Sequence, residues 1–457
     1  MKAYLFEKLL QQDGWKENVS IEVDESGKII SYCENAERSQ EEFISGYTLP
    51  GFQNAHSHSF QYAMAGLAEI HNSEHDSDSF WSWRDSMYRL ALQINPDQLE
   101  AVASMLYAEM LRNGYTNVAE FHYLHHDQDG NNYENLAEMG SRLVAAAKKS
   151  GINITLVPIF YQKGGFGAAP QSGQRRFISN TIEDYLKLLD ASNEACKNYE
   201  GANVGIGIHS MRGVEPRDIA ELAKSGPQDL PFHIHIAEQL KEIEDSIDYL
   251  GARPVEWFLN NLELNERFHL VHATHLTKQE TKGIAESNAN VVLCPTTEGN
   301  LGDGIFPLLD YQEMNGKWSI GTDSHIGLNP LEELRLLDYG QRLISHDRKT
   351  FAHANGDSGR FAIEMASTAG RKAMNHFVSD YFKEGEKLNA CIIGKAPLSS
   401  VSGNQNLLST ILYTAESSQI KGTISNGMMV VNEGKHINEG RILRSFVSSI
   451  SELKVRT

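Results

Sequence analysis

The chain contains nothing close to the roughly 20 consecutive apolar residues that cross a bilayer, and positions 1–15 lack the apolar core of a secretion signal. The expectation is a soluble, cytoplasmic protein with no membrane partner. Cysteine is scarce. The four present, Cys33, Cys196, Cys294 and Cys391, lie far apart without a C-x-x-C pair, which speaks for reduced core thiols and against a disulfide framework. Positive charge is short as well: 41 Lys and Arg face 60 Asp and Glu, a formal net charge of -19. Such a surface repels phosphate backbones and anionic lipid, so nucleic acid is not an expected partner, and an anionic ligand needs a local cationic pocket. Several catalytic signatures are also missing. There is no P-loop, no G-x-S-x-G elbow and no H-x-E paired with P-C-x-x-C, which argues against a phosphate cradle, a serine hydrolase and a cytidine-deaminase type of site. Gly205 and Gly207 lack the third glycine of a dinucleotide fingerprint. No strong repeat is visible, although 34–42 and 72–79 are polar and loop-like.

What is present is an alternation of short β-branched runs with helical patterns, which argues for parallel βα units. Strands are expected at 47–53, 116–121, 152–159, 203–209, 232–237, 268–272, 290–294 and 318–323. Between them, Asn95 reads as an N-cap with Pro96 in the first helical position, an apolar face follows at Leu99, Val102, Leu106, Tyr107 and Met110, and Gly114 ends the helix. Further helices are expected at 133–149, 181–198, 216–224, 243–250 and 330–343. Eight strands with intervening helices predict an α/β fold, a (β/α)8 TIM-like barrel over residues 49–372. Strand-like runs at 3–6, 20–23 and 28–32, and again at 390–393, 410–413, 422–425 and 428–431, predict a small β-sandwich domain shared by residues 1–48 and 373–457.

The chemistry concentrates at the ends of the expected barrel strands. Asn54-Ala-His56-Ser-His58 follows the first, and residues two apart on an extended segment point the same way, so two imidazoles can share one metal. His233-Ile-His235-Ile-Ala-Glu238 ends the fifth, offering a third imidazole and an acid beside it; His233 is read as a packed or hydrogen-bonded barrel residue. His272 closes the sixth strand, with His275 just beyond, and Asp323 and His325 close the eighth. Buried His, Asp and Glu are costly unless paired or bound to metal, so residues converging on one barrel mouth need a common partner. Three imidazoles and one carboxylate suit Zn2+, although Fe2+ and other first-row ions accept the same set. No Lys ends the fourth strand, where Gly207-Ile-His209-Ser210 stands, so one metal is expected rather than two. The acidic run 238–248 reads as a solvated helix face, Glu238 excepted.

His56-x-His58, His235-x-x-Glu238, His272 and Asp323 match the pattern of amidohydrolase-superfamily deaminases. The runs His56-Ser-His-Ser-Phe-Gln61, Met64-Ala-Gly-Leu-Ala-Glu69, Phe80-Trp-Ser-Trp-Arg84, Glu120-Phe-His-Tyr123 and Asn300-Leu-Gly-Asp-Gly-Ile-Phe306 resemble the formimidoylglutamate deiminase family, across about residues 47–343 with gaps. The resemblance implies that His56, His58, His235 and Asp323 hold the metal, which draws the pKa of its water from 15.7 toward about 7. It implies that Asp323 accepts the water proton, that Glu238 protonates the departing nitrogen and that His272 stabilises the tetrahedral centre, converting N-formimino-L-glutamate to N-formyl-L-glutamate and ammonia in histidine degradation. A substrate with two carboxylates calls for arginine forks. Arg212 and Arg84 are the candidates, with Gln61, Tyr123 and His209 adding hydrogen bonds; the resemblance supports all five and implies a homodimer. Arg84 also reads as a solvated charge beside Trp81 and Trp83, and 71–83 reads either as a water-excluding lid or as a surface insertion. The segment 382–391 lacks the Gly-x-x-Ala-Asp pattern common in the superfamily. Two rivals stand beside this reading: an aminohydrolase of purines, pterins or other cyclic amidines, which would share the metal set, and a barrel that binds ligand without turnover.

Overall fold

The structure, a computed structural model, describes residues 2–38, 40–67, 69, 80–351, 356–378, 380–454 and 456, without the side chains of 80–82. Most of the segment expected as a lid or insertion, and the polar run 72–79, therefore lie outside the described residues.

Eight parallel strands run round a barrel in chain order: Phe52–Ser57, Tyr115–His122, Asn153–Phe160, Ile206–Ser210, Phe232–Ile236, Phe268–His272, Asn290–Leu293 and Lys317–Ile320. The short strand Ala202–Val204 adds to the third. First and last strands approach each other at the mouth, where His56 O accepts the N–H groups of Thr322 and Asp323 (3.1 Å each) and Asp323 O accepts that of His58 (3.2 Å). Strands of a parallel barrel are covered on both faces and so read as near-continuous apolar runs rather than as alternation; Phe232–Ile236 and Phe268–His272 are buried at every position. The helix Pro96–Arg112 starts as expected, with Asn95 and Gln98 capping each other's backbone N–H groups. Thr181 caps Ile182–Cys196 by accepting the Asp184 N–H, and Asn329 caps Pro330–Ser345 by accepting that of Leu331.

The terminal segments build one mixed eight-stranded sheet. Its N-terminal strands are Lys2–Gln11, Gly14–Val23, Ile29–Cys33 and Glu42–Pro50, and its C-terminal strands are Ala390–Ile393, Ile420–Ser425, Met428–Asn432 and Lys435–His436. The halves join where Ala390–Ile393 pairs antiparallel with positions 47–50.

Two sequence expectations are corrected. The run 47–53 is not one strand. Positions 47–50 belong to the mixed sheet and the barrel begins at Phe52, with the break at Gly51, where any side chain would collide with Thr116. The run 410–413 is helical, inside Leu407–Thr414. Its buried residues Leu407, Leu408, Ile411 and Leu412 recur at helical spacing, which outweighs the β-branched residues that suggested a strand.

Candidate metal and substrate site

His56 sits in the first strand and His58 one residue beyond it. Their Nε2 atoms are 3.1 Å apart, and His235 from the fifth strand brings its Nε2 to 2.9 Å from that of His56. Asp323, after the eighth strand, places Oδ1 3.4 Å from His56 Nε2 and 3.2 Å from His58 Nε2. For bonds of about 2.0–2.1 Å, the edge of a tetrahedron is roughly 3.3 Å, so four ligand atoms at these spacings surround room for one ion. Their chemistry fits too. His58 Nδ1 donates to Phe121 O (2.8 Å), which leaves Nε2 with a lone pair. Burial, opposed by Asp323, pushes His56 down to about 3; burial, reinforced by neighbouring histidines, drives His235 well below its ordinary value. Neutral imidazoles are the form that binds metal. Burial alone would raise Asp323, but the adjacent rings of His56 and His58 hold it well below the usual carboxylate range. Lone pairs and a carboxylate converging in a dry pocket are costly without a cation to receive them.

The strand ends around this cluster carry unusual backbone. Ala237, His272, Ala273, Asp323 and His325 all have φ between 45 and 68, and non-glycine residues held there gather at functional sites because the surrounding packing overrides their strain. At His272, positive φ accompanies a side chain directed between carboxylates: Nε2 is 3.9 Å from both Glu238 and Asp323, and Nδ1 is 3.3 Å from Glu298 Oε1. Burial disfavours the His272 cation, yet Glu238, Glu298 and Asp323 outweigh it and lift the ring to about 10. Glu238 is pushed up, chiefly by burial and against the pull of His272 and Arg212. Arg212 Nη2 lies 3.6 Å from Glu238 Oε2, and its Nε lies 3.9 Å from Glu242 Oε2.

One cavity is lined by His58, His235, Glu238, His272 and Asp323 and by all five residues expected to bind substrate: Gln61, Arg84, Tyr123, His209 and Arg212. Gln61 Nε2 donates to Tyr123 Oη (2.9 Å). His209 pairs through Nδ1 with Ser210 Oγ (2.9 Å) and packs its ring on Tyr161, with centroids 4.2 Å apart. Arg84 lies over the ring of Tyr88 at 5.4 Å. His233 is a packed barrel histidine, its Nε2 on Ala373 O (3.1 Å) and its ring stacked on His269.

The sequence reading missed several members of the site. Glu242, assigned there to a solvated helix face, is fully buried; it accepts the N–H groups of Ala237 and Glu238 (3.2 Å each) and faces Arg212. Glu298 accepts the N–H of Cys294 (2.8 Å) and holds the ring of His272. Glu120 anchors the His56–His58 segment through Ser57 Oγ and Ser59 N–H (2.7 Å each). The signal for Glu298 was faint: an acid four residues past the last residue of an apolar run, opening a helix at Pro295.

Residues 47–430 match the Amidohydrolase family. The chain is 41% identical over 458 residues to formimidoylglutamate deiminase of Pseudomonas aeruginosa, covering 99% of this chain and 100% of that one. Among solved structures, an amidohydrolase from Brucella melitensis superposes with a TM-score of 0.93 at 39% identity over 99% of this chain and 100% of its own. An adenosine deaminase from Xanthomonas campestris with bound zinc superposes at 0.81 and 18% identity, over 99% and 98%, and so shares the fold.

Proposed function

The chain is a hydrolase of the amidohydrolase family, and from that premise we propose that it converts N-formimino-L-glutamate to N-formyl-L-glutamate and ammonia, a step of histidine degradation. The observation that carries this reading is the pair of arginines. In a chain of net charge -19, Arg212 and Arg84 line the same cavity as the candidate metal ligands. A substrate with two carboxylates needs such cations; a purine or pterin does not. The 41% identity to a formimidoylglutamate deiminase over the whole chain supports the same choice.

The family uses a divalent ion, and His56, His58, His235 and Asp323 would hold it here; zinc is our assignment, with Fe2+ and other first-row ions compatible. When bound, the ion supplies Lewis acidity that makes hydroxide accessible near neutral pH. The remaining work falls to the chain. Asp323 accepts the proton of the attacking water as oxygen bonds to the formimino carbon. The His272 cation stabilises the tetrahedral centre, where charge builds on the attacking oxygen. Glu238 protonates the departing nitrogen, the remaining proton of the attacking water passes to it as the formyl C=O forms, the C–N bond breaks and ammonia leaves, because ammonia is a far better leaving group than an amide anion. Arg212 and Arg84 hold the carboxylates, with Gln61, Tyr123 and His209 completing the polar wall. The same reading makes the protein a cytoplasmic homodimer that binds neither nucleic acid nor membrane; among the described residues no helix is long and apolar enough to cross one.

The test is ammonia release by zinc-loaded protein from N-formimino-L-glutamate beside guanine and adenosine, with Glu238→Gln as control. Release from formiminoglutamate alone, lost in the control, is the expected result. Turnover of a purine without it would keep the site and overturn the substrate.

A further inference from the structure

Two tyrosines of the cavity have no part in the reaction as derived so far. Tyr88, one turn beyond Arg84 on the helix Phe80–Gln93, and Tyr161, the residue after the third barrel strand, line the cavity together with Arg84 and Arg212. Both hydroxyls meet one side chain. Gln174 Nε2 lies 2.8 Å from Tyr161 Oη and 3.2 Å from Tyr88 Oη. Gln174 ends the turn Ser172–Gln174; it is buried, and it stands behind the cavity wall rather than in it. Its Oε1 accepts the N–H of Gln171 (2.7 Å). That contact decides which end of the amide faces the tyrosines: the NH2 does, and it donates.

Packing holds the same arrangement. A Cβ at Gly173 would stand 3.3 Å from the Tyr88 ring. Phe177, fully buried, sits among the rings of Tyr88, Tyr161 and Tyr123, with centroids 5.8, 5.8 and 5.1 Å away. The Tyr161 ring in turn packs on His209, and the Tyr88 ring lies under Arg84. The turn thus fastens two parts of the cavity wall to each other.

A hydroxyl has one hydrogen to give and lone pairs with which to receive. Gln174 occupies the receiving side of both tyrosines, so their own hydrogens are left for acceptors. Tyr88 and Tyr161 also act on each other through their hydroxyls, a contact that takes at most one of the two hydrogens. The other is directed to the cavity. We propose that the Tyr88–Tyr161 hydroxyl pair donates a hydrogen bond to a carboxylate of the substrate, and that Gln174 is the positioning residue that turns the pair outward. The proposal rests on the substrate being the dicarboxylate assigned above. Burial, then Tyr88, pushes Tyr161 well above its ordinary value, so its hydrogen is present at any working pH. Arg212 and Arg84 pull that hydroxyl the other way, which puts it in the field of both guanidinium groups. An acceptor drawn to that place is an anion.

Replacing both Tyr88 and Tyr161 by Phe tests the contact, because every ring stays and both hydroxyls go. KM for N-formimino-L-glutamate should rise roughly tenfold or more, the loss of one hydrogen bond to a charged group, with kcat and zinc content near wild type. Gln174→Met keeps the length of the side chain and removes the donor. It should raise KM in the wild-type background and do nothing further in the double-Phe background, where no hydroxyl remains to be turned. The triple variant loses the donor together with both its partners, so it also serves if the double variant fails to fold. A further rise in KM from Gln174→Met in the double-Phe background, or a fall in kcat with KM unmoved, would overturn the positioning role. N-formimino-2-aminobutyrate and N-formimino-4-aminobutyrate each lack one of the two carboxylates. The penalty of the double-Phe change on kcat/KM should vanish with one and persist with the other; persistence with both would overturn the carboxylate as acceptor. A wild type that releases no ammonia from formiminoglutamate would overturn the assigned substrate and this contact with it, whereas wild-type turnover with KM unmoved in the double-Phe variant would overturn this contact alone.

Discussion

Replacing Arg212 by Gln removes a guanidinium held close to Glu238 and Glu242 and directed into the cavity. Two consequences separate. The protein should stay folded, because Glu242 keeps its two backbone N–H donors and the loss falls below the about 3–5 kcal/mol expected when a buried pair leaves one charge with nothing. Substrate binding should suffer directly. A hydrogen bond to a charged group contributes about 1.5–3 kcal/mol, and about 1.36 kcal/mol is tenfold, so KM for formiminoglutamate should rise by roughly 10- to 150-fold. Burial and the acidic neighbours Glu242 and Glu238 both bear on Arg212, and the carboxylates prevail, keeping it charged at any working pH; the effect should therefore persist across the pH range. Steady-state ammonia release with kcat and KM resolved is the assay, with zinc content and thermal melting measured on the same samples. Arg212→Lys, which keeps the charge without the fork, should recover only part of the loss. An unchanged KM in a folded, metal-loaded Arg212→Gln protein would refute the carboxylate assignment and with it the choice against cyclic amidines.

Chelation should abolish ammonia release and lower the melting temperature, since an ion at 100 times its Kd stabilises the folded state by about 2.7 kcal/mol; an unchanged melting temperature on metal removal would contradict the four-ligand site. Glu298→Gln should lower kcat about 10- to 100-fold with KM nearly constant, because Glu298 touches His272 rather than the cavity wall; a rise in KM alone would place Glu298 elsewhere in the mechanism. Burial pushes Glu333, outside the metal cluster, up to about 8, against hydrogen bonds from Thr296. A carboxyl raised in the folded state contributes stability that is complete below its unfolded pKa, about 4.3, and is lost as pH rises through 8. Melting temperatures measured from pH 4 to 9 should therefore fall less steeply in Glu333→Gln than in wild type, and parallel curves would refute that account.

Much of the site was legible because its signals are short in sequence. Spacing of two put His56 and His58 on one face, Asn95 and Pro96 announced a helix, and apolar runs ending in His or Asp marked strand ends facing the mouth. Glu242 and Glu298 were not legible, since an acid on an amphipathic helix looks the same whether water or Arg212 lies opposite it.

The sequence by itself determined the alternation of strands and helices, the helix starts at Pro96, Pro216 and Pro330 and the kinds of ligand available, because period, capping and side-chain chemistry act within a few residues; the helices expected from 133 and 243 begin instead at Glu138 and Leu240. Only the tertiary structure decided that His235 and Asp323, the latter 267 positions along the chain from His56, each come within 3.4 Å of His56. It also decided where the barrel begins, at a glycine with no room for a side chain beside Thr116, and which carboxyls are shielded from water. The physical reason is common to all three: closure of the barrel brings distant strand ends together, and burial there, which no local pattern records, sets the charge and the partners of each group.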